Sequence, residues 1–240
     1  MRNLIEFNGK KSDEFNIYIE NIPKLPISQM EYESTSVPGR DGTLTRKKGY
    51  KDIEIELTCW FKEKDNLLYI NKKNLISNWL CNYKDNNTLK FSFFNTCYWK
   101  VKQVELSSFE TKYKIARSFS VKFTLEPFCY MVSEDIYIEE EETITNPGTL
   151  ETKPRLTIYN ANGDITIHIN NQNLVLKGIT ESEVVVDSEI LNCYSVDSNG
   201  VLENLNHKMY TGFPKMEVGN NNISWEGSLE RIKIEGRWCN

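Results

Sequence analysis

Thirteen residues near the middle of the chain, Asn146-Pro147-Gly148-Thr149-Leu150-Glu151-Thr152-Lys153-Pro154-Arg155-Leu156-Thr157-Ile158, limit what can lie on either side of them. Two prolines and a glycine fall within the first nine. Proline fixes φ and donates no backbone hydrogen bond, so the stretch is poor material for a helix or a central strand. An acidic run, Glu139 to Glu142, precedes it, and alternating apolar residues follow from Arg155. It reads as the seam between two β-rich modules: residues 1–130, an acidic, Pro- and Gly-bearing linker at 131–153, and a second module at 154–240. A chain of 240 residues is long enough for both.

Charge divides at the same place. Residues 1–130 hold 21 Lys and Arg against 16 Asp and Glu, a net of +5, and residues 131–240 hold 8 against 18, a net of −10. The two surfaces therefore suit different neighbours. Neither half has the clustered basic surface of a nucleic-acid binder. No apolar run reaches the length of a membrane span, so no membrane partner is expected. Glu6 falls where a signal peptide needs its apolar core, which points to synthesis in the cytoplasm. The six cysteines, without a C-x-x-C pair, are then expected as reduced thiols, several of them buried. The 26 asparagines, with many Lys and Ile, point to an AT-rich genome.

In the first module, Leu4 to Phe7 and Phe15 to Glu20 read as two strands around Asn8-Gly9, with Phe15, Ile17 and Ile19 on one face. A strand over Ile27 to Ser34 leads into Pro38-Gly39-Arg40-Asp41-Gly42, a dense turn signal. From Tyr50 to Phe61 the alternation is clearest: Ile53, Ile55, Leu57, Cys59 and Phe61 against Asp52, Glu54, Glu56, Thr58 and Trp60. One face is buried and the other wet, as in an antiparallel sheet. A helix over Asp65 to Cys81, N-capped by Asp65, presents Leu68, Leu75, Ile76, Trp79 and Leu80 as an apolar stripe. After a connection ending at Asn86-Asn87, strands resume at Leu89–Phe94, Tyr98–Leu106 and Ser118–Glu126. The expected fold is an antiparallel, split-barrel-like α+β module with one helix.

The second module reads as all-β. Asn162-Gly163 predicts a hairpin between Arg155–Tyr159 and Asp164–Ile169. Strands at Asn173–Lys177, Glu183–Asp187, Leu191–Val196, Asn222–Trp225 and Leu229–Glu235 follow, punctuated by Asn199-Gly200, Gly212-Phe213-Pro214 and Gly219-Asn220. Short strands at regular spacing with such turns indicate a β-sandwich.

Enzyme motifs fail: there is no G-x-S-x-G, G-x-x-x-x-G-K-[ST], G-x-G-x-x-G or H-E-x-x-H. The only histidines, His168 and His207, read as surface residues, one on the exposed face of a strand and one in a turn-rich segment. No catalytic residue, metal ligand or cofactor site can be named. Trp60, Trp225 and Trp238 are candidates for stacking on sugars, although tryptophan is commoner in cores and interfaces.

Two ordered sets of residues resemble the distal tail proteins (Dit) of siphophages. One is Val37-Pro38-Gly39-Arg40-Asp41-Gly42 followed by the strand Tyr50 to Phe61. The other runs from Asn146-x-Gly148-Thr149 through Pro154-x-Leu156-x-Ile158, Asn162-Gly163, the valines before Asp187 and Gly212-Phe213-Pro214 to Gly219-Asn220-Asn221-Asn222-Ile223. The resemblance implies a ring-forming N-terminal domain and a galectin-like C-terminal β-sandwich. It further implies a non-enzymatic homo-hexameric baseplate hub at the virion tail tip. The partners would be the tail tube protein, a tail-associated lysin or tip protein and a receptor-binding protein, with DNA only in transit through the channel. Ile27 to Phe61 would then clasp the neighbouring subunit, with Pro38, Gly39, Arg40, Asp41 and Gly42 at the inter-subunit contact. A carbohydrate- or cell-wall-binding sandwich module is the alternative. Its glycan affinity would reside in residues 146–240.

Overall fold

The computed structural model describes residues 3–83, 87–111, 115–196 and 200–240. The chain divides into two compact units, Met1–Cys129 and Tyr130–Asn240. The protein is mostly β, with one α-helix among the described residues.

In the first unit one sheet runs in the order Lys10–Lys11, Ile5–Phe7, Thr88–Phe91, Phe94–Leu106, Ala116–Met131, Ile53–Lys62 and Tyr18–Ile19. The Ile19 amide donates to the Asn3 carbonyl at 3.2 Å, so the sheet curls until its two ends share a bond. Ile53–Lys62 lies next to the Tyr18–Ile19 edge and pairs antiparallel with Ala116–Met131 from Lys62 opposite Ala116 to Ile53 opposite Leu125. Ile53, Ile55, Leu57, Cys59 and Phe61 are buried, and Phe119, Val121, Phe123 and Leu125 face them across the ladder. The alternation in the sequence thus marks the core face. The strand starts at Ile53 and not at Tyr50, because Tyr50 ends a separate hairpin.

The helix spans Asn66–Cys81. Asp65 caps it, its Oδ1 accepting from the amides of Leu67 at 2.7 Å and Leu68 at 3.1 Å. Ile76, Trp79 and Leu80 are buried, but Leu68 and Leu75 stay exposed at 54% and 58%. The stripe is rotated from its expected position because Trp79 is tied to the barrel: its Nε1 donates to the Phe7 carbonyl at 2.8 Å and its ring stacks on Phe15 at 4.6 Å. Tyr69 and the Lys72 stem then turn toward Phe61.

The expected strand over Phe15 to Glu20 is mostly something else. Ser12–Phe15 is a short 3₁₀ helix, Asn16 takes the left-handed conformation at φ 51°, and only Tyr18–Ile19 pairs. The Glu14 carboxylate accepts from the Lys11 amide at 2.8 Å, a local bond that competes with extended pairing. Phe15, Ile17 and Ile19 nevertheless all reach the core.

The second unit is a sandwich of two antiparallel sheets. One runs Ile136–Ile138, Arg231–Glu235, Arg155–Tyr159, Glu183–Asp187, Asn192–Val196, Leu202–Asn204, and the other Glu142–Asn146, Gly219–Ser228, Asn162–Ile169, Gln172–Ile179. Leu156, Ile158, Val184, Val186, Ile232 and Ile234 of the first share a core with Ile165, Ile167, Ile169, Leu174, Leu176 and Ile223 of the second.

Two sequence expectations are corrected here. Residues 131–153 are not a linker: Ile136–Ile138 and Glu142–Asn146 each edge a sheet, and Ile138, Ile144 and Asn146 are buried. Of the acidic run, Glu139 to Glu141 lie exposed between those strands and Glu142 opens the second. Arg155–Tyr159 and Asn162–Ile169 do not pair as a hairpin. Arg155–Tyr159 lies between Glu183–Asp187 and Arg231–Glu235, and the chain crosses to the other sheet at Asn160, whose φ is 48°. Both strands carry an apolar inner face, and the crossing sets those faces against each other. Asn86 and Asn199, of two expected turns, lie outside the described residues.

The Pro-Gly stretch is a built turn within this unit. Asn146 Oδ1 accepts from the Gly148 amide at 2.9 Å, and Asn146 Nδ2 donates to the Leu150 carbonyl at 3.0 Å. The Thr149 amide then bonds the Cys239 carbonyl at 3.1 Å. A β-carbon on Gly148 would lie 2.4 Å from that carbonyl oxygen, so glycine is needed for the close approach.

Asp187, which ends the valine run, is buried and paired in bidentate fashion with Arg237, at 2.6 Å and 2.7 Å. Burial alone would raise the Asp187 pKa, but the Arg237 guanidinium and the amides of Glu189 and Ile190 hold it below the ordinary value of 3.8. A depressed carboxyl contributes stability that is present above its unfolded pKa and is lost as pH falls through the folded one. Replacing Arg237 with Met strands the carboxylate and is expected to destabilise the second unit by about 3–5 kcal/mol at neutral pH. Chemical denaturation monitored on the two units separately checks this: the loss should shrink as pH drops below 3.8.

Candidate assembly surface

Met30–Ser36 and Thr43–Tyr50 form a two-stranded sheet of their own in the first unit. Every residue from Tyr32 to Tyr50 is exposed, including the large side chains of Tyr32, Leu44 and Tyr50. Midway along the arm the cross-strand pairs include charged residues: Glu33 faces Arg46 and Tyr32 faces Lys47. The Glu31–Lys48 ion pair, at 3.5 Å and well exposed, adds little. At its base the hairpin is held by the Lys51 amide on the Gln29 carbonyl at 3.0 Å and by Ser28 Oγ on the Lys51 carbonyl at 2.6 Å. The Tyr50 ring also meets Phe128 edge-on at 4.9 Å. The arm is thus anchored at one end and bare along its length.

Pro38 to Gly42 form its tip, all five residues exposed. The Arg40 amide donates to the Val37 carbonyl at 3.1 Å, with Pro38 and Gly39 between them and Gly39 at φ +81°. Proline followed by a positive-φ glycine is the signature of a type II turn. Gly42, at φ +78°, returns the chain to the second strand. The sequence placed this turn correctly but started the arm's first strand at Ile27, whereas pairing begins at Met30. Pro26 supplies no amide to a ladder there.

Other candidates dissolve on inspection. Trp238 is buried in the sandwich core, Trp225 packs against that core, and Trp60 lies half-buried beside Tyr18 at 5.2 Å. Trp60 and Tyr18, with Lys62, Glu63 and Asn16, line a cleft of about 680 Å³ at the barrel's edge. Trp238 and Trp225 are therefore taken up by the sandwich core, and only Trp60 fronts a cleft. His168 is half-exposed on its strand, its Nδ1 2.9 Å from Asn173 Oδ1, and His207 lies in the short helix Asn206–Lys208. Among the described residues no three of His, Cys, Asp and Glu converge as a metal site would require.

Residues 7–125, nearly the whole of the first unit, match the family model described as the phage tail protein RIFT-related domain. The first unit carries this phage tail domain. The chain's fold over both units matches solved structures. The crystal structure of SPP1 Dit (gp 19.1), titled a paradigm of hub adsorption apparatus in Gram-positive infecting phages, superposes with a TM-score of 0.72 at 10% identity, covering 98% of this chain and 99% of that one. Chains from the activated phage p2 baseplate match as well. The structure with Ca gives a TM-score of 0.52 at 13% identity, covering 98% of each chain, and that with Sr gives 0.54 at 12%, covering 97% of each. Among curated proteins, none matches.

Among the described residues, none lies within 4 Å of a β-carbon added at Gly39 or Gly42, so valine at both positions starts from open space. Its cost is conformational, about 1–2 kcal/mol at each positive-φ position. Thermal unfolding of the G39V/G42V protein should therefore match wild type for both cores, while the arm's tip amides exchange faster by hydrogen–deuterium exchange.

Proposed function

We propose that this chain is a distal tail protein, a structural hub in the baseplate of a siphophage tail. Six copies close into a ring in which each arm lies along the neighbouring first unit, with Pro38 to Gly42 at the contact. The ring joins the tail tube to the tip and receptor-binding components and leaves a channel through which DNA passes. The observation that carries the reading is the arm itself. An isolated two-stranded hairpin is marginal in water, and one whose residues from Tyr32 to Tyr50 all stay exposed gains from a second surface. A repeated heterologous contact through such an extension closes a ring when its rotation allows. The family of the first unit and the fold shared with SPP1 Dit support the same reading. Its second unit gives the ring an outer β-sandwich, whose acidity differs from the basic first module. The glycan-binding alternative, set in residues 146–240, is weakened because Trp238 is buried in the sandwich core and Trp225 packs against it.

Light scattering after gel filtration tests the ring. Six copies of the 28.0 kDa chain give 168 kDa, and electron micrographs of that fraction should show annuli. Removing residues 31–49 and bridging the ends with a short Gly-Ser link should leave a folded single copy. A monomer at all concentrations that also fails to assemble on tail tubes would exclude the ring, as would an undiminished ring without the arm.

A further inference from the structure

Trp60 stands on the wet face of Ile53–Lys62, between the buried Cys59 and Phe61 and opposite Tyr18 in the ladder. The two rings lie 5.2 Å apart, tilted by 42°, and neither is part of the barrel core. The cleft of about 680 Å³ that they front is also lined by two carboxylates, Glu20 and Glu63, and two ammonium groups, Lys62 and Lys72. Lys62 Nζ lies 6.0 Å from the centroid of the Trp60 ring, so a cation already leans over this aromatic floor. An occupant that suits the cleft has a flat apolar group and one charge of each sign.

The tip of the arm has that inventory. Pro38 offers an apolar ring, Arg40 a guanidinium and Asp41 a carboxylate, and Gly39 and Gly42 add no bulk between and beside them. All five are exposed, so a copy does not seat its tip in its own cleft. The arm leaves the barrel at the Ile53 end of Ile53–Lys62, and the cleft lies at the Lys62 end. The seven residues from Ile53 to Trp60 span about 23 Å at the usual strand rise. A donor at one end of a strand and an acceptor at the other make a head-to-tail contact that repeats from copy to copy. We infer that the Tyr18–Trp60 cleft of one first unit receives the Pro38 to Gly42 tip of a second copy. Pro38 packs on the two aromatic rings, as proline does in aromatic-lined grooves. The Arg40 guanidinium meets Glu20 and Glu63, and the Asp41 carboxylate meets Lys62 or Lys72. The inference rests on the ring reading and adds to it the surface that accepts the arm.

Carbodiimide coupling of the full chain, which joins a carboxylate to an amine only where the two touch, tests the seating. Equal amounts of unlabelled and nitrogen-15-labelled protein are mixed, assembled, coupled in the 168 kDa fraction of six 28.0 kDa copies, digested and mapped by mass spectrometry. The expected peptides join Asp41 to Lys62 or Lys72 through an amide, with the loss of one water, and half of them pair a labelled with an unlabelled chain. Arg40→Glu should raise the concentration at half-assembly about tenfold, and adding Glu20→Arg should restore most of that loss. Both side chains are exposed, so the melting of the barrel should not change in either variant. A 168 kDa ring in which Asp41 couples to other lysines, or in which the second charge change restores nothing, overturns the seating and leaves the ring standing. A chain that stays single at every concentration, alone and on tail tubes, overturns the ring and the seating together.

Discussion

A pair of β-strands satisfies only half of its backbone hydrogen-bonding groups and, without a layer to cover it, buries almost no apolar surface. The arm formed by Met30–Ser36 and Thr43–Tyr50 sits under that constraint. Its shape is set locally by the type II turn at Pro38-Gly39 and by the bonds between Lys51, Gln29 and Ser28 at its base. Residues 32–49 are all exposed, and Tyr50 alone of the arm's far strand meets the barrel, through Phe128. Tyr32 and Leu44 are open to water on this extension, apolar surface that a second partner would cover under the proposed function.

The remainder of the chain supplies the rigidity that makes an extension useful. In the first unit, the Ile53–Lys62 strand follows directly from the arm and is paired along its whole length with Ala116–Met131. Trp79 joins the helix to the barrel through the Phe7 carbonyl, fixing which helical face turns inward. In the second unit the Asp187–Arg237 pair and the Asn146–Gly148 turn both hold the C-terminal residues, by charge in one case and by backbone approach in the other. Each unit therefore has its own core and its own polar fastening.

Period-2 alternation made the Ile53–Lys62 strand legible, because one of its faces is buried and the other wet. Asp65 marked the helix start for a similar reason, since a free first-turn amide needs an acceptor. What the sequence could not settle was pairing. Arg155–Tyr159 and Asn162–Ile169 have the pattern and the spacing of a hairpin, yet two inner faces of similar apolarity also suit opposite sheets. Asn146-Pro147-Gly148 looked like a domain junction because its composition breaks secondary structure. A turn that closes on the far end of the chain has the same composition, and only the Cys239 contact distinguishes them. At the candidate site the tip was readable from Pro38 and Gly39. The bareness of the strands behind it was not, since exposure on both faces is a property of the fold around them.

Hydrogen–deuterium exchange along residues 30–50 tests the central claim most directly, comparing a dilute single copy with the assembled protein. The account predicts rapid exchange of the arm's amides in the single copy and strong protection on assembly, while the Ile53–Lys62 amides are protected in both. Equal protection of the arm in the two states would contradict it, because the hairpin would then be stable without a neighbour.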